Sequence, residues 1–388
     1  MLWIICCAVP CLLACLSAVF LIHRRFRQAK TAAAAKIEGD CGIVEERFIW
    51  IGGIDQWIGI RGEDISNPVL FLIHGGPGSS YSIFTPHLRA WEKYFTIVQW
   101  DQRGAGKTFA RTGRRASGNL SMGQLARDGL EVAEYLRVRL NKKRIFLMAS
   151  SFGSTFGLEM VRRGPDLFHA YIGTDQNVGM VRGRDETRCA TIERLQKLGL
   201  NKGVKALERI GPDPTRWTPD EFEVVTRWTM KSDPPEFLRT IKLLKGAVLY
   251  APGWTLRDIR AFVAGMRFSL EQMLHGLTTY DAWAQGTRFD IPIFIFQGEN
   301  DLLTTPARAR EFFNDVIAPS KRMELIADAG HFAAFLQPNQ FLKQLLDHVR
   351  PLAGERSYPF EAPDSLPPGA SAASLPRSDS VSSACSSR

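Results

Sequence analysis

The sequence predicts an α/β fold in which a mostly parallel central sheet carries helices on both faces and a helical block is inserted late in the chain. Three observations predict it. Between residues 43 and 176, short apolar runs of the kind that form buried strands alternate with amphipathic stretches of helical period. Over 177–286 the alternation stops: the chain becomes largely helical, rich in Arg and Trp, and interrupted by Pro212, Pro214, Pro234 and Pro235. Over 287–350 it resumes. A helical block interrupting an α/β alternation reads as an insertion, hence a lid.

Residues 43–62 alternate apolar and polar positions around Gly52-Gly53, the pattern of a hairpin. Continuous apolar runs at 69–73, 95–100, 144–148 and 170–173 predict four buried strands. Leu125, Leu130, Val132, Ala133 and Leu136 mark a helix before the third of these, and another helix begins just after Ser151. After the lid come a strand at 291–296, a helix, a strand at 322–326 and a final helix over 332–349. Residues 351–388 are rich in Pro, Ser and Ala with few apolar anchors, which predicts a disordered tail.

Residues 1–22 carry no charged side chain, and at ~1.5 Å per residue they would extend ~33 Å, enough to cross a bilayer core. The run His23-Arg24-Arg25-Phe26-Arg27 follows at once. The expectation is an uncleaved transmembrane anchor with the following domain in the cytoplasm, joined by a basic and Ala-rich linker over 23–42. Two other readings compete. A cleaved export signal usually has its positive charges before the apolar stretch, and Leu12-Leu13-Ala14-Cys15 resembles a lipoprotein cleavage box although the apolar run continues past Cys15.

The formal net charge of +9 is not gathered into one long basic tract, so a mildly basic solvated surface is expected and no nucleic-acid partner. Four of the seven cysteines (Cys6, Cys7, Cys11 and Cys15) lie in the apolar stretch, and Cys41, Cys189 and Cys385 lie outside it. This spacing suggests neither a disulfide framework nor a metal site. No cofactor is implied, and the oligomeric state is not legible.

Three segments carry chemistry, each just after a predicted strand. Ala149-Ser150-Ser151-Phe152-Gly153 fits the small-x-Ser-x-Gly pattern of a nucleophile elbow, whose sharp turn demands small residues two before and two after the serine. Ser150 competes with Ser151, but centring the turn on Ser150 puts bulky Phe152 where a small residue is needed. His74-Gly75-Gly76-Pro77-Gly78 lets the backbone approach a ligand closely, which makes Gly76 N–H and Phe152 N–H the candidate oxyanion-hole donors. Asp301 stands beyond the returning strand, further out than Glu299, and His331 follows the last strand in a Gly-flanked loop, unlike His169 and His348. The chain order Ser151, Asp301, His331 is that of a Ser-acid-His triad.

Together with Asp101-Gln102-Arg103-Gly104-Ala105-Gly106-Lys107-Thr108, these motifs resemble the prolyl aminopeptidase (proline iminopeptidase) branch of the α/β-hydrolase fold. The similarity covers about residues 43–176 and 287–350. It implies serine-dependent release of an N-terminal residue, often proline, from short peptides without metal or cofactor. Two departures stand out. The elbow has Ala149-Ser150 and Phe152 where the family usually has Gly-Gly and Trp. The lid acids Glu221, Glu223, Asp233, Glu236 and Asp281 do not align with those that hold the substrate's α-amino group in that family. A carboxylesterase or lipid hydrolase would use the same three residues. An epoxide hydrolase or dehalogenase would need an aspartate where Ser151 stands, and a non-catalytic binding protein would be expected to have lost one of the three.

Overall fold

A computed structural model describes residues 2–182 and 184–354; for 2–10, 184 and 185 only the backbone is described. Its centre is one eight-stranded sheet, ordered β1-β2-β4-β3-β5-β6-β7-β8. β1 (Ile43–Ile51) and β2 (Ile54–Gly62) form the expected hairpin, with Gly52 and Gly53 supplying the two positive φ angles of its turn. β2 also pairs antiparallel with β4 (Thr96–Asp101). β3 (Val69–Ile73), β5 (Ile145–Ser150), β6 (Phe168–Thr174), β7 (Ile293–Gly298) and β8 (Lys321–Ile326) run parallel with β4.

The continuous apolar runs now have a physical reason. Along β3, Val69, Phe71 and Ile73 enter one core while Leu70 and Leu72 enter the other; β5 divides Leu147 from Phe146 and Met148 in the same way. Helices cover both faces, so neither set of side chains meets water. α2 (Gly106–Ser117), α3 (Met122–Arg139) and α4 (Phe152–Arg163) follow β4 and β5 in the chain. Leu125, Val132 and Phe156 of α3 and α4 fill the first core, and Phe84 and Phe341 help to fill the second.

Between β6 and β7 lies the helical insertion expected to act as a lid, and called the lid below: α5 (Arg184–Lys197), α6 (Asn201–Ile210), α7 (Pro219–Lys231), α8 (Pro234–Tyr250) and α9 (Leu256–Thr279). Pro214, Pro219, Pro234 and Pro235 stand at the starts of helices rather than breaking them. Pro219 and Pro234 each occupy a first turn, behind a Thr218–Glu221 capping box and an Asp233 cap. α9 is held against the core by small residues. Ser269 Oγ–H donates to Gly104 O at 3.0 Å, and a Cβ on Gly78 would come within 2.7 Å of the Ser269 side chain.

The Asp101–Thr108 segment works as scaffold. Asp101 is buried and accepts from Ser80 Oγ–H (2.5 Å) and Lys107 N–H (2.6 Å), while Arg103 pairs with buried Asp128 at 2.9 Å and donates to Gly52 O. Burial pushes the Asp101 pKa up to about 6, against those two hydrogen bonds.

The structure corrects the N-terminal expectation. Among the described residues no helix is long and apolar enough to cross a membrane, so the anchor expected over 1–22, and the cytoplasmic placement that rested on it, do not stand. α1 (Leu2–Ala34) runs unbroken through the first part of the expected linker. Its basic cluster is used to dock on the lid. Arg24, 5% exposed, donates to Trp254 O at 2.7 Å, Gln28 donates to Ala251 O at 2.7 Å, and the Arg27 guanidinium lies 5.2 Å from the Tyr250 ring centre.

Three smaller differences follow. The final helix is interrupted at Pro338, which cannot supply the backbone donor a continuous helix requires. After α10 (Pro306–Asp315), which lies between β7 and β8, it resolves into α11 (Ala333–Leu336) and α12 (Pro338–Gln344), followed by further helical turns to Ala353. Cys41 is disulfide-bonded, whereas Cys11, Cys15 and Cys189 are free. The first residues of the expected tail form a helical turn, Arg350–Ala353, and from 355 onward the tail lies outside the described residues.

Candidate active site

β5 ends at Ser150 and α4 begins at Phe152, leaving Ser151 alone to make the turn. It does so at φ 52°, a left-handed conformation that a serine adopts only under constraint. The constraint is packing. A Cβ on Gly153 would collide with His74 O, and one on Gly157 would fall 2.7 Å from the Ala149 side chain. Ala149 therefore fills the place where glycine is more usual.

β7 and β8 deliver the other two groups. His331 Nδ1–H donates to Asp301 Oδ2 at 2.9 Å, and His331 Nε2 lies 3.1 Å from Ser151 Oγ. Asp301 is fixed from every side. Its Oδ1 accepts from Leu303 N–H (2.8 Å) and Thr304 N–H (3.0 Å), and its Oδ2 accepts from Thr304 Oγ1–H (2.7 Å) and Gln297 Nε2–H (3.0 Å). Glu299 is exposed, His169 packs on Phe146, and His348 lies in the C-terminal helical turns.

Sequence reasoning missed Asp175. It follows β6, is buried, and sits at φ 48°. Its Oδ1 accepts from Phe332 N–H at 3.2 Å, and its Oδ2 accepts from Ser150 Oγ–H at 2.9 Å. Asp175, Asp301 and His331 each bring one polar atom to within 4.8 Å of the others. Such a trio could hold a metal ion, but here the carboxylate oxygens already accept protein N–H and O–H groups. An aspartate after a strand is common, and nothing local in the sequence distinguishes this one.

The electrostatics follow from these contacts. Burial pulls the His331 pKa down, but the charges of Asp301 and Asp175 and the Asp301 hydrogen bond outweigh it, and the net shift is upward to about 9. For Asp301, burial favours the neutral acid, yet the neighbouring imidazole and the Thr304 donors prevail and its pKa is lowered. For Asp175 burial dominates and raises the pKa to about 6. His74, fully enclosed, is pushed down to about 4 by burial and stays neutral. It props the glycine loop, with Nδ1 2.9 Å from Gly75 O and Nε2 accepting from Gln102 N–H at 3.3 Å.

Gly76 and Phe152 both line the cavity beside Ser151, and among the described residues neither N–H has a protein acceptor. Gly75 touches the serine: a Cβ there would lie 2.8 Å from Ser151 Cβ. Two donors at a helix N-terminus and an adjacent loop suit a developing oxyanion.

The family model of the alpha/beta hydrolase fold matches residues 68–338. The chain belongs to the α/β-hydrolase fold family. Among curated relatives, the hydrolase is 26% identical over 308 residues to the Bacillus subtilis (strain 168) protein named probable aminopeptidase YbaC, covering 77% of this chain and 94% of that one. It is 24% identical over 307 residues to a proline iminopeptidase of Lactobacillus delbrueckii subsp. bulgaricus, covering 78% and 96%. Among solved structures, a proline iminopeptidase-related protein of Thermus thermophilus superposes with a TM-score of 0.53 at 21% identity, covering 80% of this chain and 98% of that one. A bacterial membrane phospholipase A does so with 0.57 at 16%, covering 89% and 98%. At these identities the superpositions speak for the fold alone.

The lid acids of the hydrolase are engaged elsewhere. Glu221 closes a capping box, Glu223 lies 3.5 Å from Arg267, Asp233 caps α8, and Asp281 holds Arg182 and Trp283 N–H. Glu236 is buried between Arg239 (2.5 Å) and Gly330 N–H (3.0 Å). Asp233 and Glu236 border a small recess that reaches His331; none of the five borders the main cavity above Ser151.

Proposed function

We propose that this chain is a serine hydrolase acting through an acyl-enzyme, with Ser151 as nucleophile, His331 as general base and acid, and Asp301 as the orienting carboxylate. The observation that carries it is the relay of 3.1 and 2.9 Å contacts joining Ser151 Oγ, His331 and Asp301. His331 Nε2 takes the hydroxyl proton as Ser151 Oγ bonds to a substrate carbonyl carbon, and Asp301 stabilises the imidazolium. The oxyanion is received by Gly76 and Phe152 N–H; one such donor is typically worth ~10²–10³ in rate. Collapse breaks the bond to the leaving oxygen or nitrogen, which takes the proton from His331. A water deprotonated by His331 then cleaves the acyl ester and restores Ser151.

The test is covalent labelling of the full-length chain with a fluorophosphonate. Ser151 should carry the label, and Ser151→Ala should lose both label and turnover. Label persisting on another residue in that variant would refute the assignment.

Release of an N-terminal residue, possibly proline, is the second reading. It is supported by the names of the curated relatives and by the motif resemblance. It needs a carboxylate for the substrate ammonium, and Asp233 and Glu236 in the recess beside His331 are the acids nearest to that role.

A further inference from the structure

The cavity above Ser151 has a volume of about 440 Å³, within the range of roughly 300–1,000 Å³ typical of small-molecule sites. Its floor is the glycine loop, the elbow and His331; its walls are the lid. Leu207 of α6, Phe222 and Val225 of α7, Val248 of α8, and Phe262 and Met266 of α9 all face it, so four lid helices present apolar side chains to one space. The charged residues lining the cavity are Arg182 and Arg188 of the lid and Arg308 of the helix between β7 and β8, with no Asp or Glu among the described lining residues. Arg182 is paired with Asp281, Arg308 with Glu311, and Arg188 donates to Leu207 O.

We propose that this cavity takes a bulky, apolar, uncharged acyl group, so that the substrate is an ester or amide of an apolar carboxylic acid without a free α-amino group. The proposal rests on the serine-hydrolase reading above and names its substrate class. Two arguments carry it. Among the described lining residues an ammonium placed in the cavity would face guanidinium groups and no carboxylate, and a charge taken from water without a partner is disfavoured. Of the two acids in the recess beside His331, Asp233 caps α8 and Glu236 is already neutralised by Arg239 and held by Gly330 N–H, so binding an ammonium there would require breaking existing contacts. An apolar acyl chain, in contrast, exchanges water for aliphatic and aromatic walls, and each buried methylene can raise kcat/KM by up to about fourfold.

The experiment uses full-length protein, a series of p-nitrophenyl esters from acetyl to decanoyl, and a pair of leucyl arylamides, unblocked and N-acetylated. Fluorophosphonate labelling of Ser151 is measured in parallel. The expected result is kcat/KM rising with acyl length to an optimum beyond butyryl, and slower cleavage of the unblocked arylamide than of its blocked partner. Val225→Trp on α7 and Val248→Trp on α8 should each move the optimum to shorter acyl groups, so either variant serves if the other fails to fold. A preference for acetyl esters, or for the unblocked arylamide, with Ser151 still labelled would overturn the substrate class and leave the serine-hydrolase reading standing. Absence of label at Ser151 would overturn both.

Discussion

Ser150 Oγ–H donates to Asp175 Oδ2 at 2.9 Å, and this bond gives two adjacent serines different chemistry. Ser150 is 1% exposed and its hydroxyl proton is committed to a carboxylate just past the end of the neighbouring strand, whereas Ser151, one residue on, meets His331. Ser150→Ala should therefore keep the fluorophosphonate label and retain measurable turnover, while Ser151→Ala loses both. Loss of label in Ser150→Ala with label kept in Ser151→Ala would reverse the assignment.

Asp175 also bears on the pH profile. In the proposed mechanism the neutral imidazole of His331 is the base, and its surroundings raise its pKa to about 9, above the ordinary ~6.5. The limb of kcat/KM that rises with pH should therefore have its midpoint well above 6.5. Asp175→Asn keeps an acceptor for Phe332 N–H but removes one negative charge, so the midpoint should fall while much of the activity remains. Asp301→Asn should also lower it and should cost roughly 10⁴ in kcat, the loss seen in established Ser-His-Asp enzymes. An unmoved midpoint in Asp175→Asn would limit that residue to holding the loop. The same shift sets a stability trend. A raised histidine pKa stabilises the fold fully below ~6.5, and this contribution is lost as pH rises through about 9.

What the sequence disclosed depended on how local the signal was. β3 and β5 were legible because burial on both faces demands an unbroken apolar run. Ser151 and Asp301 each follow such a run, whereas His331 follows the partly exposed edge strand β8 and was marked instead by its Gly-flanked loop. Asp175 was not legible, since its partners Ser150 and Phe332 arrive from strands far apart in the chain. α1 was misread for a related reason. An apolar stretch and a basic cluster look alike whether the arginines meet lipid headgroups or, like Arg24, the carbonyl of Trp254.

The glycine loop offers a test that separates geometry from chemistry. A methyl on Gly75 would meet Ser151 Cβ at 2.8 Å and Ser150 O at 3.0 Å, both part of the rigid elbow. Gly75→Ala should fold and still displace Ser151 relative to His331, costing on the order of 10² in kcat. Near-normal kcat, with a crystal structure showing the loop displaced instead, would mean that the elbow does not depend on this contact.

The buried Arg103–Asp128 pair predicts a stability effect with little change at the reacting groups. Asp128 is fully buried and accepts from Arg103 Nε–H (2.9 Å), Gln56 Nε2–H (2.8 Å) and Gln124 Nε2–H (2.6 Å), tying α3 to β2 and to the segment after β4. Asp128→Ala leaves the Arg103 guanidinium in the interior with only the carbonyls of Gly52 and Ser117 as acceptors. Breaking one side of such a pair typically costs about 3–5 kcal/mol, mostly from stranding the other charge. Arg103→Met with Asp128→Leu removes both charges and fills the volume, so the double variant should be less destabilised than Asp128→Ala alone. Urea midpoints for the three proteins decide the matter. A double variant as unstable as the single one would mean that the carbonyl and amide contacts around the pair, rather than the stranded charge, carry the stability.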